Sequence, residues 1–321
     1  MPDSPPRRDP GVYCSVADLA QLKYRTGGFT LLPRQPIHSI LAGTHASRLR
    51  GRGLNFEELR RYLPGDDVRT IDWHVTARTR KPHVRVYTEE RDRPLLLVVD
   101  QRASMFFGSR RAMKSVTAAE AAALGAWRAL RSGDRVGGIV FGGESQIEIA
   151  PHRSDSRVLQ LLSEIARQNN ALTAMTPQND GALNRALDRA AEIATHDHLV
   201  CIVSDFAGAN EASLRPMTRI TAHNDALLAF VSDPLEAELP EAGRVVAARG
   251  EERLEIDTGD RSLRDRFRSD FADRVAQLER LSRRRQVPVL SLTTAEEVPR
   301  QFARALGARL RPGMTGEGGP R

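Results

Sequence analysis

The residues with most chemical promise stand where apolar runs meet polar turns. Leu95-Leu96-Leu97-Val98-Val99 ends on Asp100 and continues as Gln101-Arg102-Ala103-Ser104. Such a run reads as a strand buried on both faces, and ligand sites of open α/β sheets lie at the carboxyl ends of such strands. A second run, Leu199-Val200-Cys201-Ile202-Val203, ends on Ser204-Asp205-Phe206. Side by side, and with the loop ahead of Ala182, these strand ends bring Asp100, Asp205 and Arg102 into one pocket. Two bare carboxylates at close range repel, so the pocket needs a cation. A divalent metal on oxygen ligands would supply it. So would the Arg102 guanidinium, which binds carboxylates in a bidentate way and never loses its charge. The plainer alternative is that each acid caps the helix after it.

The stretch from Gly51 to Trp73 is the second concentration of reactive side chains. Phe56, Leu59 and Leu63 share one face if the chain is helical there, with Pro64-Gly65 as its end. Asp66, Asp67 and Asp72 follow, interleaved with Arg69 and trailed by Arg78. Three acids so close could serve a metal-dependent hydrolase, but the interleaved arginines point to a structural ion-pair network. His74, His83, His196 and His198 stand in no recognisable relation to a serine or cysteine nucleophile. The pairs Gly137-Gly138 and Gly142-Gly143 lack the lysine of a phosphate-binding loop. Nothing here predicts catalysis.

These side chains need elements to hold them. Residues 1–10 and 311–321 read as disordered tails. From 11 to 93 the pattern is one short helix around Val16, Leu19 and Leu22, then loops and short extended pieces such as Val84–Tyr87: a small, β-rich or irregular N-terminal element. From 94 to 310 strands and helices alternate, the mark of an α/β domain with a mostly parallel, Rossmann-type sheet flanked by helices. Strands are expected over 95–100, 135–141, 146–150, 199–205, 225–231 and 288–292. Helices are expected over 113–131, 156–168, 182–195, 212–222, 262–284 and 295–306. Gly142-Gly143 predicts a hairpin and hence one antiparallel edge strand. A second hairpin, 245–248 with 253–256, precedes the long helix.

The 321-residue chain carries a formal charge of +7, and lysine occurs only at Lys23, Lys81 and Lys114. Arginines at 48, 50, 52, 60 and 61 raise the alternative of a nucleic-acid-binding surface. Aromatics at 5% and interspersed acids speak against it. Cys14 and Cys201 form no disulfide framework or zinc spacing, and Cys201 reads as a buried, inert thiol. No apolar stretch suits a signal peptide or a membrane span, so a cytoplasmic protein is expected.

The residues from Gly51 to Arg93 also carry a resemblance. Glu57, Leu59, Arg60, Tyr62, Pro64-Gly65-Asp66-Asp67, Arg69, Ile71-Asp72-Trp73, Ala77-Arg78 and Glu89-Glu90-Arg91 closely resemble the bacterial family called domain of unknown function 58. Val99-Asp100, Ser104-Met105 and Phe107-Gly108 continue the likeness into its von Willebrand factor A-like domain. The resemblance implies a non-enzymatic adaptor or regulator beside a MoxR-type AAA+ ATPase and its client proteins, in complex assembly or chaperone-like remodelling. Related A domains bind a divalent cation through an Asp-x-Ser-x-Ser turn, a threonine on a second loop and an aspartate on a third, leaving one position for a partner's acid. Asp100, Ser104 and Asp205 match that metal set. Arg102 replaces the first serine and Gly181 the threonine, so the expected site is degenerate and metal-free. Asp180 would restore a ligand for magnesium or manganese if its loop bends inward. The expected partner-binding face is Asp100, Arg102, Asp205 and Asp180, with Arg102 taking a partner carboxylate directly.

Overall fold

The computed structural model describes residues 9, 11–26, 54–64, 66–89, 93–179, 181–249, 252–283 and 287–306. Two compact units divide the chain: Met1–Pro33 together with Arg93–Arg321, and Arg34–Asp92. The expected tails thus lie outside the described residues except for Asp9. The expected 11–93 element is not one piece. Its first part, with helix α1 (Val16–Gln21), belongs to the larger unit. Leu19 and Cys14 are buried in that unit's core, the Cys14 amide donates to Asn169 Oδ1 (2.9 Å), and Trp127 Nε1 donates to the Leu19 carbonyl (3.1 Å). A short amphipathic helix gains its stability from such tertiary packing, which local periodicity cannot reveal.

In the smaller unit the helix expected around Phe56, Leu59 and Leu63 is instead strand β1 (Leu54–Arg61). Beyond it lie α2 (Trp73–Thr79) and strand β2 (His83–Glu89), which pairs antiparallel with β1. The misleading spacing has a physical origin. A bulge between Phe56 and Glu58 makes positions 56 and 59 face Tyr87 and Arg85, two residues apart, so both register on one side of the ribbon. An i, i+3 spacing therefore mimics a helix.

The larger unit is a Rossmann-type α/β domain, a mostly parallel sheet flanked by helices. Its elements in chain order are β3 (Leu95–Asp100), α3 (Lys114–Arg131), β4 (Val136–Phe141), β5 (Gln146–His152), α4 (Asp155–Ala171), α5 (Gly181–Ile193) and β6 (Leu199–Ser204). Then come α6 (Glu211–His223), β7 (Asp225–Ser232), α7 (Pro234–Ala237), β8 (Arg244–Arg249), β9 (Glu252–Asp257), α8 (Arg261–Arg283), β10 (Val289–Thr293) and α9 (Val298–Ala305). The six-stranded sheet runs β10-β7-β6-β3-β4-β5, parallel except for the β5 edge, and β8 with β9 forms the expected second hairpin. Every position of β3, β4 and β6 is buried, as central parallel strands require. Odd positions such as Leu95, Leu97 and Val99 join the core shared with α3, α4 and α9; Leu96 and Val98 join the core shared with α5 and α6. Gly138 is there for packing, since a Cβ would lie 2.9 Å from Leu161 Cδ1.

Strand order reverses between β3 and β6, the switch point where open α/β sheets leave a crevice. The register Leu95↔Leu199 to Val99↔Val203 sets Asp100 level with Ser204 at that crevice.

Since Leu19 is buried in the core, Leu19→Ala is expected to destabilise the whole larger unit by about 2–5 kcal/mol. Urea unfolding followed by far-UV circular dichroism would show a lowered midpoint. An unchanged midpoint would mean that this segment is a dispensable arm.

Candidate functional site

Asp100 ends β3 and is fully buried. Its carboxylate is gripped by Arg102: the amide donates to Oδ1 (3.0 Å), Nε to Oδ1 and Oδ2 (3.0 and 3.1 Å) and Nη2 to Oδ2 (2.7 Å). Ser204 Oγ adds a hydrogen bond to Oδ2 at 2.6 Å across the β3–β6 register. The guanidinium is completed by the Ala207 carbonyl (3.1 Å from Nη1), lies 3.6 Å from Asp205 Oδ1 and rests over the Phe141 ring. Forked Arg–carboxylate pairing of this kind combines charge with fixed geometry.

Asp205 follows β6 and has its own cation. Lys114, first residue of α3 and 2% exposed, donates from Nζ to Asp205 Oδ2 (2.8 Å) and to Glu236 Oε1 (2.7 Å). Arg274 of α8 donates to the same Glu236 oxygen (2.9 Å). Ser104 Oγ (3.3 Å) and the Ala207 amide (3.0 Å) donate to Asp205 Oδ1. Between them Phe206 adopts a left-handed backbone, φ 53°, which costs a bulky residue about 1–2 kcal/mol. That turn lets Ala207 present its amide to Asp205 and its carbonyl to Arg102. Neither acid caps the following helix; the residues at those positions are Arg102 for the turn Ala103–Met105 and Asn210 for α6.

Burial pushes the Asp205 carboxyl up, but the charges of Lys114 and Arg102 and the hydrogen bonds from Lys114 and the Ala207 amide outweigh it and hold it below the ordinary carboxylate range. Burial likewise pushes the Lys114 ammonium down, and Asp205 and Glu236 reverse this and hold it above the ordinary lysine range. Both remain charged at neutral pH.

A divalent cation does not fit this donor set. Asp100 and Asp205 already hold a guanidinium and an ammonium at hydrogen-bond distance, and a metal ion there would meet two fixed positive charges. Among the described residues no group of three or more His, Cys, Asp or Glu side chains is arranged to hold a metal. Asp180 lies outside the described residues. Gly181 begins α5 and is not among the residues lining the cavity described next. The expected partner contact through Asp100, Arg102 and Asp205 is corrected by burial: their side chains are 0%, 3% and 0% exposed, and Arg102 directs its guanidinium inward. Ser104 and Asp205 do reach a cavity of about 540 Å³, whose floor includes Lys114 and Glu236 and whose sides include Phe106, Phe107, Phe267 and Phe271.

Lys114, Glu236 and Arg274 were not legible as site residues. A faint signal existed for Lys114, one of three lysines in an arginine-rich chain, placed at the start of an alanine-rich helix. Three acids of the smaller unit, Asp66, Asp67 and Asp72, are satisfied locally. Asp66 takes Arg60 at 2.7 Å on each oxygen, Asp67 accepts from the Arg69 amide, and Asp72 caps α2 through the His74 and Val75 amides. Arginines 48, 50 and 52 lie outside the described residues. The His196 ring bonds Asp197 and the His198 ring the His196 carbonyl, so neither faces a nucleophile. Burial pushes both thiols, Cys14 and Cys201, up to about 12, so they stay neutral. No helix among the described residues is long and apolar enough to cross a membrane.

The family model described as Protein of unknown function DUF58 matches residues 58–277. Uncharacterized proteins Rv1480 of Mycobacterium tuberculosis and Mb1516 of Mycobacterium bovis are each 32% identical over 287 residues, covering 89% of this chain and 89% of theirs. Among solved structures the chain is similar to conserved hypothetical protein BatB from Bacteroides thetaiotaomicron, with TM-score 0.40 and 10% identity, covering 66% of this chain and 96% of that one. It is also similar to a von Willebrand factor type A protein from Catenulispora acidiphila, with TM-score 0.38 and 11% identity, covering 70% and 44%.

Removing one partner of a buried pair strands the other, so Arg102→Met should cost about 3–5 kcal/mol in denaturant unfolding. Adding Asp100→Asn should recover part of that loss, and no recovery would show that packing, not charge, is at stake. The pH profile has a definite sign. Asp205, held low, contributes stability above about pH 4 that drains away as pH falls through its native value. Lys114, held high, contributes below about pH 10.4 and is lost as pH rises through its native value. Asp205→Asn should flatten the acid limb of a plot of unfolding free energy against pH.

Proposed function

The chain belongs to the family described as Protein of unknown function DUF58, and from that premise we propose that it is a non-enzymatic, cytoplasmic interaction partner of a MoxR-type AAA+ ATPase. It acts as adaptor or regulator of substrate choice in complex assembly or chaperone-like remodelling. The observation that supports this most is the self-neutralised strand-end site. At the switch point of the sheet, where catalytic groups of such folds are found, the carboxylates are tied to fixed cations, and the serines that donate to them, Ser204 and Ser104, meet acids whose charge is already neutralised. Lys114 is equally unfit as a base or nucleophile, because two carboxylates keep it protonated.

What the site offers instead is a shaped, partly apolar hollow on a rigid frame. Phe107 and Phe267 line it while 41% and 39% exposed, and aromatic side chains left open beside a hollow suit recognition of another protein. The A domains that the chain resembles engage partners through a metal at this position. Here Arg102 and Lys114 replace that ion, and engagement is metal-independent.

Two measurements test this. Calorimetric titration of the full chain with magnesium or manganese should give no saturable heat, and saturable heat abolished by Asp205→Ala would restore the metal reading. Co-elution with a MoxR-type ATPase of the same organism on size-exclusion chromatography should occur with the wild type and be lost on Phe107→Asp, Phe267→Asp double substitution. Co-elution that survives the double change would place the contact elsewhere.

A further inference from the structure

We propose that the cavity above the strand ends receives a basic side chain, lysine or arginine, presented by a segment of a partner protein. This rests on the interaction reading above and specifies its chemistry. The cavity, about 540 Å³, has the size of sites that hold ligands of a few side chains' bulk. One side is a single face of α8, where Phe267, Asp270, Phe271 and Arg274 follow the i, i+3, i+4, i+7 spacing. Phe106 and Phe107 come from the loop after β3.

The sign of the guest follows from which charges are already matched. Arg102 is held by Asp100, Lys114 by Asp205 and Glu236, and Arg274 by Glu236. That is three cations against three carboxylates. Asp270 is left over: it lines the cavity, is exposed, and forms no ion pair or hydrogen bond among the described residues. The residual charge of the cavity is therefore negative, and the ring of Phe267, which lines it and is partly exposed, adds a surface that favours a cation. A carboxylate entering here would meet Asp270 and would have to displace Asp205 or Glu236 from Lys114. A guanidinium or ammonium would pair with Asp270 and stack on the rings. The polarity is thus opposite to that of a metal-bearing A domain, which takes an acid.

The exposed rings decide the source of the cation. Phe107 and Phe267 remain about two-fifths exposed at the edge of the cavity, and a small free cation would leave them so. The apolar neighbours of a basic residue in a protein segment would cover them.

The test is a ligand-observed NMR titration of the full chain with three matched peptides, Ala-Leu-X-Leu-Ala, in which X is Arg, Ala or Glu. The Arg peptide should bind about fivefold more tightly than the Ala peptide and the Glu peptide most weakly, as expected of one partly exposed charge pair reinforced by a ring. Asp270→Asn should erase the preference for Arg, and Phe267→Ala should weaken all three peptides. Tightest binding of the Glu peptide, or an Arg preference that survives Asp270→Asn, would overturn the proposal. So would complete displacement of the Arg peptide by spermidine whose own affinity is untouched by Phe267→Ala, since the guest would then be a free polyamine. The ATPase co-elution run on the same variants separates the two readings. Full co-elution with Asp270→Asn sinks the basic-residue contact and leaves the adaptor role standing, whereas no co-elution of wild type with an intact Arg preference does the reverse.

Discussion

Two carboxylates buried at the switch point of a parallel sheet set the terms for everything around them. Asp100 and Asp205 are wholly shielded from solvent, and an unneutralised pair there would cost several kcal/mol per ion. Arg102, two residues after the first acid, and Lys114, at the head of α3, remove that penalty. The rest of the crevice follows. The β3–β6 register delivers Ser204 to Asp100, Phe206 accepts a left-handed backbone so that Ala207 serves both networks, and α7 brings Glu236 to Lys114. Arg274 then fastens α8 to Glu236. Local strain at Phe206 persists because the surrounding hydrogen bonds over-determine it.

What was legible in the sequence was what depends on neighbours along the chain. Five-residue apolar runs followed by Asp100 and Ser204 gave away the central strands, Gly142-Gly143 the antiparallel edge, and the two-residue spacing of Asp100 and Arg102 their pairing. What was not legible depends on distant segments. Glu236 and Arg274 meet Lys114 only after α7 and α8 fold across the strand ends, at separations of 122 residues between Lys114 and Glu236 and 38 between Glu236 and Arg274. Arg102 read as a partner contact because it stands where related A domains carry a metal-binding serine, and only the fold shows its guanidinium turned onto Asp100. The bulge in β1 hid a strand behind helical spacing, and α1 resembled part of a separate element because its partners, Trp127 and Asn169, lie more than 100 residues away.

Fixed cations differ from a bound metal in a way that matters for recognition. A metal ion exchanges with solvent and keeps coordination positions open, so a partner's acid can complete its shell. A guanidinium and an ammonium enclosed by carboxylates offer no such opening. Their hydrogen bonds are directed inward, and their charge is cancelled before a partner arrives. The strand ends are consequently closed to further ligands, and the proposed contact rests on groups placed above them.

Those groups come largely from the crossover between the parallel neighbours β7 and β10. The β8–β9 hairpin and α8 lie between β7 and β10 in the chain, outside the sheet itself, and α8 contributes Phe267, Asp270 and Phe271 to the cavity. A packed parallel sheet tolerates few changes at its strand ends, whereas the exposed positions of α8, Phe267 and Asp270, can change sign or bulk at less cost; Phe271 on the same face packs on the core and cannot. Arg274 is the hinge between the two roles, since the Glu236 oxygen it binds also binds Lys114. If the cavity binds as proposed, a change of residue type on α8 alters its guest, whereas a change at Arg274 also unbalances the buried charges beneath it. The position and neutrality of the site are set by the sheet, and the lining above it comes largely from α8.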